Sequence, residues 1–506
     1  MRKVYDDYWK VARDSDEVVI RYYRPEEEPE EWTAGQLEVI GNRGGALLRA
    51  AGVGKGDCFV LGMGENCVED LAFRLGAVRL GAVPVTINWQ SDSLERVLFK
   101  LRSTEAKAWV AHSSLRRILS KEICRAFPNL HIVDAHQIWN EAVPVDPPSF
   151  VDLRPRDPRI VLFTSGTTGL PKGVVHSYEN YRQNQLCFES FLEISSDVPL
   201  RLAVVNPLHH ANSSAIVDWG LRRPNTVVEL FSRYSRAYWK RLSELAQGEH
   251  KVVAPLVSRH FEILEELVES GQWPISLEQL RKKLGDIIFL LGSSPVGPGT
   301  VERLRRLVGQ IPLVRFGSTE LCLQALGIPV DFSSNQRLSA FERGWEHEEL
   351  LEAKGFFIGR PHRGYTKAKI VRSVVSGEQG FMEEVPEGSL GYLVVKSSSL
   401  MLEYNGQAEA TRAVCQDGWY TGLGDIVFSL SNPLDRELDY YWVSRVSGLL
   451  IRGGANYSCA QIGADIKALI SKVFRLSASD IDVAVVALKV SSEHEDDCCV
   501  TIDFNT

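Results

Sequence analysis

The stretch Phe163-Thr164-Ser165-Gly166-Thr167-Thr168-Gly169-Leu170-Pro171-Lys172-Gly173-Val174-Val175-His176 decides how the rest of the chain is interpreted. It follows the apolar run Ile160–Phe163, which predicts a buried strand. Glycines let backbone N–H groups approach an anion, hydroxyls add donors, and lysine supplies a mobile positive charge. The stretch lacks the Gly-Lys-Ser/Thr junction of a Walker A loop. The sequence therefore predicts a phosphate-binding loop of another kind.

Length, composition and charge exclude several classes of protein. With 506 residues the chain is too long for one core, and 44% hydrophobic with 24% charged residues is ordinary for a soluble globular protein. A net charge of −8, with scattered basic residues, does not predict nucleic-acid binding. No apolar run predicts a membrane span or a signal peptide. Nine cysteines without framework spacing predict free thiols in a reducing compartment, so we expect a cytoplasmic protein.

Alternating strands and helices organise the first part of the chain. Examples are the predicted strand Cys58–Leu61, the amphipathic helix Val68–Leu80 and a helix that Thr33 would cap. This alternation favours parallel sheets wrapped by helices. From about Gly359 short strands and turns predict a β-barrel-like unit. The sequence thus predicts an α/β fold: a large multi-subdomain N-terminal domain (1–445) of two helix-flanked sheets plus that unit, and a small, incomplete α+β C-terminal domain (446–506).

Four stretches in a fixed order carry a family resemblance: Thr164–Gly173, Phe316–Glu320, Trp419–Asp425 and Arg445–Gly454. Together they resemble the adenylate-forming (AMP-binding) superfamily of acyl-CoA synthetases, luciferases and peptide-synthetase adenylation domains. The likeness spans essentially the whole chain. In that family a carboxylate attacks the α-phosphate of ATP, pyrophosphate leaves, and a thiol then takes the acyl group. Positioning and charge neutralisation dominate such chemistry.

The resemblance implies a role for each stretch. Lys172 and the loop hydroxyls would hold the β- and γ-phosphates, and Glu320 would hold Mg²⁺, a hard cation that prefers oxygen ligands. Phe316, in place of the usual tyrosine, would pack on adenine, while Asp425 and Arg445 would contact the ribose. The implied ATP-binding residues are Thr164, Ser165, Gly166, Thr167, Thr168, Gly169, Lys172, Gly292, Ser293, Ser294, Phe316, Gly317, Ser318, Thr319, Asp425 and Arg445.

The implied catalytic residues are Lys172, Glu320 and His210, and the acyl pocket would include His210 and Gly317. Amino-acid-activating relatives have an aspartate near His210, and none lies between Pro207 and Ile216, so an α-amino acid is not expected. Acetate-activating relatives have tryptophan at the position of Gly317, and glycine leaves room for a larger acid. The resemblance therefore favours a fatty or aromatic acid, with ATP, Mg²⁺ and coenzyme A as cosubstrates and cofactors.

The chain departs from the family pattern near its C-terminus. The family's second lysine, which assists adenylation from the small domain, has no counterpart, and that domain looks truncated. Two further interpretations therefore stay open beside an acyl-CoA synthetase. One is a catalytically impaired protein that binds nucleotide or acyl-adenylate. The other is an enzyme that loads its acyl group onto a carrier protein, which would be a partner.

Overall fold

The computed structural model describes residues 14–112, 121–143, 151–164, 171–347, 355–445, 449–452, 455–476, 481–492 and 495–504. The strands, in chain order, are β1 (Val18–Tyr23), β2 (Glu30–Thr33), β3 (Cys58–Gly62), β4 (Val83–Thr86), β5 (Ala108–Ala111), β6 (His131–Asp134), β7 (Pro158–Thr164), β8 (Lys172–Ser177), β9 (Leu200–Val204), β10 (Thr226–Phe231), β11 (Lys251–Leu256), β12 (Ile288–Leu291), β13 (Leu313–Phe316), β14 (Leu326–Gly327), β15 (Phe356–Pro361), β16 (Thr366–Val371), β17 (Gly391–Ser397), β18 (Glu403–Tyr404), β19 (Cys415–Gln416), β20 (Trp419–Tyr420), β21 (Asp425–Ser431), β22 (Leu438–Arg445), β23 (Leu449–Arg452), β24 (Ala455–Ser458), β25 (Ile481–Leu488) and β26 (Asp497–Phe504).

The α-helices of the described residues are α1 (Ala34–Ala50), α2 (Val68–Leu80), α3 (Leu94–Ser103), α4 (Tyr178–Leu192), α5 (Ala211–Arg222), α6 (Tyr238–Leu245), α7 (Ser258–Glu269), α8 (Leu277–Leu284), α9 (Pro298–Val308), α10 (Ser334–Trp345), α11 (Ala408–Val414) and α12 (Cys459–Phe474). Short 3₁₀ turns occupy Ala135–Trp139 and Thr319–Leu321.

Helices begin where side chains satisfy the free backbone N–H groups of the first turn. The Thr33 hydroxyl accepts from the N–H of Gln36, whose side chain accepts from the N–H of Thr33, so the predicted cap of α1 is confirmed. Ser177 and Asn180 form the same box at the start of α4. The bounds of α2 agree with the sequence prediction.

Two sheets contain the strands that position the cavity. The smaller has the order β18-β8-β7-β4-β3-β5-β6, in which β4, β7, β3, β5 and β6 run parallel. The larger has the order β19-β20-β17-β21-β22-β15-β14-β13-β12-β11-β9-β10-β1-β2, with β16 beside β17. Its strands from β13 to β1 run parallel, and those from β14 to β20 pair antiparallel. The predicted mixed α/β class with two helix-flanked sheets is confirmed.

The strands after residue 355 need a correction. Through β14 they join the parallel strands in one open sheet, and among the described residues they do not close into a barrel. Their hydrophobic cluster, which includes Phe356, Leu393 and Trp442, also takes in Val174 of β8 and Leu321 of the turn after β13. The short pairs β23–β24 and β25–β26 lie outside both sheets. The boundary between 445 and 446 stays a prediction, because 446–448 lie outside the described residues.

The main core lies between the sheets and their helices. Helices α1 and α2 approach so closely that a Cβ on Gly76 would lie 2.4 Å from the backbone nitrogen of Gly45. Only glycine allows that approach. Large side chains such as Trp219, Trp239 and Phe289 fill the core beside the parallel strands of the larger sheet. The strand ends are therefore held by a rigid, packed scaffold.

Candidate functional site

A cavity of about 990 Å³ opens where the parallel strands of both sheets end. Its lining includes Asn88 after β4, Thr164 at the end of β7, Asn206 after β9, Val257 after β11 and Ser293 after β12. Ligands of open α/β sheets bind outside the carboxyl ends of the strands, since the loops there converge. Residues from β18, β20 and the C-terminal segment complete the lining, namely Tyr404, Tyr420, Arg452, Tyr457, Ile462 and Asp465.

The two strand ends that flank the predicted phosphate loop lie at this cavity. Strands β7 and β8 are antiparallel, with Thr164 opposite Lys172, and both residues line the cavity. The Lys172 Nζ lies 4.9 Å from the ring centroid of Tyr404. The predicted ligands Ser165, Gly166, Thr167, Thr168 and Gly169 lie outside the described residues. The structure thus places the lysine at the cavity, and the intervening loop stays a prediction.

Glu320 lies in the 3₁₀ turn that follows β13, and it is 9% exposed. The Tyr404 hydroxyl donates to its Oε1 at 2.9 Å, and the hydroxyl oxygens of Tyr404 and Tyr420 lie 3.1 Å apart. Burial, with the nearby charge of Glu320, raises the pKa of Tyr404, so its hydroxyl keeps the proton it donates. The carboxylate is therefore oriented at the cavity wall, where it could hold a cation.

A buried histidine supports the same turn. His176 on β8 donates from Nε2 to the carbonyl of Thr319 at 2.6 Å. Burial lowers the pKa of His176 to about 4, so the ring is neutral near pH 7. It ties the strand that carries Lys172 to the turn that carries Glu320.

Most of the ATP-binding residues predicted after β12 and around the end of β13 line the cavity. Ser293, Ser294 and Phe316 line it, as do Ser318 and Thr319, whereas Gly292 does not.

Gly317 lines the cavity as well, but its lack of a side chain has a local packing reason. A Cβ there would lie 2.2 Å from the carbonyl oxygen of Leu323. The glycine therefore does not by itself indicate the size of the acid.

Asp425 is placed behind the cavity wall. It is fully buried, and its Oδ1 accepts from Trp442 Nε1 and from Arg445 Nε, each at 2.8 Å. Arg445 lines the cavity beside it. Burial opposes the charge of Arg445, but Asp425 outweighs it and raises the arginine pKa, with a further contribution from Glu320. In this structure the aspartate orients the arginine, and the arginine faces the cavity.

His210 lies at the cavity as the N-cap residue of α5. Burial lowers its pKa to about 4, and the nearby positive charge of Lys100 adds to that effect. Lys100 and Asp92 form a buried ion pair, with Nζ and Oδ2 2.5 Å apart, and both line the cavity. A neutral histidine beside a paired lysine makes this end of the cavity polar.

Sequence reasoning missed several residues of this site. Tyr404 is 84 residues beyond Glu320, and no local pattern marks it. Asp92 precedes α3 and Lys100 lies within it, eight residues further on. Their opposite charges at this short separation were the signal that could have predicted an ion pair. Arg315 lines the cavity from β13, and a charged residue within this otherwise apolar strand, next to Phe316, was its signal.

Comparison with known proteins identifies the family to which a chain with this cavity belongs. Residues 8–405 match the AMP-binding enzyme family. The chain belongs to this family. The predicted superfamily is thereby confirmed.

Among curated relatives, a long-chain-fatty-acid–CoA ligase of Mycobacterium tuberculosis, FadD13, is 25% identical over 85% of this chain and 76% of its own length. The crotonobetaine/carnitine–CoA ligase of Proteus mirabilis is 26% identical, over 83% and 75%. The indoleacetate–CoA ligase of Aromatoleum aromaticum is 26% identical, over 84% and 76%.

Solved structures confirm the fold. The o-succinylbenzoate CoA synthetase (MenE) of Bacillus subtilis superposes with a TM-score of 0.75 at 19% identity, covering 100% of this chain and 89% of that one. MatB from Rhodopseudomonas palustris gives 0.70 at 19% identity, covering 99% and 88%. Within the described residues of this AMP-binding protein, no helix is both long and apolar enough to cross a membrane.

Proposed function

We propose that this protein is an ATP- and Mg²⁺-dependent acid–thiol ligase that forms an acyl-adenylate and then an acyl-CoA thioester. The observation that carries the proposal is the convergence of Lys172, Glu320 and Arg445 on one cavity at the strand ends of both sheets. Membership of the AMP-binding family and the alignment with curated acyl-CoA ligases support it.

Lys172 is the residue assigned to the leaving pyrophosphate. Its position at the start of β8, next to the predicted loop, lets it neutralise charge that builds up on the departing phosphates. Such charge stabilisation lowers the barrier only if the cation is held in place beforehand. The aromatic ring of Tyr404 beside Nζ supplies that placement.

Glu320 is the residue assigned to Mg²⁺. Its carboxylate faces the cavity and is held through one oxygen by Tyr404, and a carboxylate of this kind suits a hard cation. When bound, the cation would screen the negative charge of the triphosphate. Arg445 lies within electrostatic range of the same carboxylate, and we assign it to the nucleotide sugar.

His210 is assigned to the acid. Because its pKa is about 4, it is neutral near pH 7 and can orient a substrate carboxylate by hydrogen bonding rather than by charge. A fatty or aromatic acid is the class favoured by the sequence. The fatty-acid and indoleacetate substrates in the names of two relatives fall within that class.

The thiol that accepts the acyl group and the cellular location of the protein are proposed from fewer observations. Coenzyme A is favoured over a carrier protein because the curated relatives are CoA ligases. A cytoplasmic location is proposed from the nine cysteines, all free thiols.

Acid-dependent ATP–pyrophosphate exchange tests the first half-reaction. We expect exchange with at least one acid of a broad panel, and loss of about 10²-fold or more in Lys172→Ala and Glu320→Ala, as for removal of a transition-state donor. Folded wild-type protein with no exchange above these variants would overturn the proposal. Tight ATP binding without exchange would then favour the catalytically impaired alternative. Free CoA and a phosphopantetheinyl carrier, compared as acceptors, decide the second half-reaction.

A further inference from the structure

A cluster of metal-ligating side chains lies outside the cavity, at the start of α2. Within the described part of the chain, Cys67, Glu69 and His112 form the one group of three such residues whose ligand atoms lie within 4.8 Å of one another. Cys67 is the N-cap residue of α2, Glu69 lies in its first turn, and His112 follows β5. None of the three lines the cavity, so the proposed function gives the cluster no role.

The three ligand atoms are close enough to share one cation. Atoms no more than 4.8 Å apart have a common point within about 2.8 Å of each, and bonds to Zn²⁺ are about 2.0–2.3 Å long. Side-chain movements of less than about 1 Å would therefore bring all three atoms into bonding distance. Sulfur, imidazole nitrogen and carboxylate oxygen are the donors of zinc sites, whereas Mg²⁺ and Ca²⁺ take oxygen ligands. The donor set thus favours Zn²⁺.

Neighbouring side chains orient the carboxylate of Glu69, which is buried. The indole Nε1 of Trp139 donates to its Oε1 at 3.0 Å, and Nδ1 of His136 lies 3.5 Å from the same oxygen. Because both contacts are made to Oε1, the second carboxylate oxygen is available to a cation. Hydrogen-bonded partners of this kind hold the ligands of metal sites in place.

The imidazole of His112 has a nitrogen without a partner. Its Nε2 is shielded from water, and it makes no hydrogen bond among the residues that the structure describes. The ring stacks on that of His136, with the centroids 5.1 Å apart. A buried polar atom without a partner costs about 1–3 kcal/mol, and a cation bound by this nitrogen would remove that cost. The side chain of His136 is 54% exposed, so a cation can approach from the surface.

The charges around the cluster suit a cation. Glu65 and Glu69 both lie within electrostatic range of Cys67 and of His112. A divalent cation would offset their negative charge. Cys67 would lose its thiol proton on binding, because the metal ligand is the thiolate. The N-terminal end of a helix favours that thiolate.

We propose that Cys67, Glu69 and His112 bind Zn²⁺, with water in the fourth position. The cation would join the start of α2 to the residue that follows β5. The inference does not depend on the proposed function, since no residue of the cluster touches the cavity.

The turn that carries Cys67 also supports one wall of the cavity. The side chain of the preceding residue, Asn66, accepts from the N–H of Leu208 at 2.7 Å and donates to the carbonyl of Asn206 at 3.1 Å. Asn206 lines the cavity. A cation at Cys67 would therefore stabilise the turn from which this wall is held.

The test uses Co²⁺ as a spectroscopic probe, because a thiolate bound to Co²⁺ gives a charge-transfer band. Metal-stripped full-length protein is titrated with Co²⁺, and then with Zn²⁺ in competition with a chromophoric chelator. We expect one equivalent of Co²⁺ to produce the band and Zn²⁺ to displace it. Cys67→Ser should abolish the band. His112→Ala should weaken Zn²⁺ binding by about 10²-fold or more, because the loss of an outer partner alone costs about 10- to 100-fold.

Two controls separate this cluster from other thiols. Cys187→Ser is the matched control, because this cysteine is also buried but lies on α4, outside the cluster. The exposed Cys124, Cys498 and Cys499 are replaced together by serine in a second control, since surface thiols also bind Co²⁺. Both controls should keep the band.

A wild-type protein without the band would overturn the inference. A band that persists in Cys67→Ser, or that is lost with the three exposed cysteines, would overturn it as well. If Cys67→Ser does not fold, thermal shift with Zn²⁺ is the second measurement. Zn²⁺ should raise the Tm of the wild type and of Cys187→Ser, but not that of His112→Ala, and equal shifts in all three would contradict the site.

Discussion

Tyr404 shows how one hydroxyl can hold a charged group at the cavity. It donates to Glu320 and its ring lies against Lys172, so a single side chain contacts both residues to which we assign the phosphates and the cation. A buried hydrogen bond to a charged acceptor is worth more than one between neutral groups. The contact is made by a residue far along the chain, on β18.

Tyr404→Phe removes that hydroxyl and keeps the ring. We expect a loss of about 1.5–3 kcal/mol in the free energy of unfolding and a higher Mg²⁺ concentration for half-maximal exchange, because Glu320 loses its orienting donor. Urea unfolding and a Mg²⁺ titration of exchange measure the two effects. Tyr440→Phe is the control, since that hydroxyl donates to the Ala368 carbonyl outside the cavity. An unchanged Mg²⁺ dependence in Tyr404→Phe would contradict the assignment.

Gly317→Ala tests whether this glycine is set by packing. Its Cβ would meet the Leu323 carbonyl oxygen at 2.2 Å, so we expect a loss of about 1–3 kcal/mol or more in the free energy of unfolding. Gly248→Ala is the matched control, because the nearest atom to its Cβ would lie 3.9 Å away. Unchanged stability in Gly317→Ala would contradict the packing explanation and would favour space for the acid as the reason for glycine at this position.

At the scale of elements, strands β21 and β22 carry an ion pair to the edge of the cavity. Asp425 begins β21 directly opposite Arg445 at the end of β22. The fully buried carboxylate also accepts from Trp442 on the same strand as the arginine. The pair therefore joins the two strands and fixes the direction of the arginine.

Asp425→Ala would leave Arg445 without its counterion. We expect a loss of about 3–5 kcal/mol in the free energy of unfolding, the usual cost of removing one partner of a buried pair. Chemical denaturation without nucleotide is the measurement, so that any contribution from ribose binding is excluded. Asp152→Ala, an exposed aspartate, serves as the comparison. If the two variants unfolded at the same denaturant concentration, the pair would have no structural role.

Across the whole molecule, several buried histidines are neutral. Burial lowers the pKa of His176, His210 and His260 to about 4 and that of His362 to about 3. The unfolded chain has the ordinary value near 6.5, so between pH 6.5 and 4 it binds more protons than the folded chain. Stability therefore rises with pH through that window and levels off above it.

The expected slope is on the order of 1 kcal/mol per pH unit for each such histidine. Urea unfolding at pH 7 and pH 5 should show it, at pH values where most carboxylates of the unfolded chain stay ionised. His362→Leu should reduce by about one the number of protons taken up on unfolding, and so make the slope smaller. This histidine is chosen because its ring packs against Phe191 in the core, away from the cavity. A stability that did not change between the two pH values would contradict the buried neutral histidines.

The sequence by itself determined the family, the alternation of strands and helices, and the phosphate, cation and sugar candidates. These are local signals, because capping residues, apolar periodicity and glycine-rich turns act within a few residues. Thr33 as a cap and the bounds of α2 are examples.

Only the tertiary structure decided which side chains share the cavity and which pair among themselves. Tyr404 reaches Glu320, Asp425 lies behind Arg445, and Arg315 has no acidic partner among the described residues, all through contacts between distant segments. The strands after residue 355 likewise continue an open sheet because β14 bridges them to β13. Such pairings depend on how the sheets bring distant residues together, and no sequence spacing encodes them.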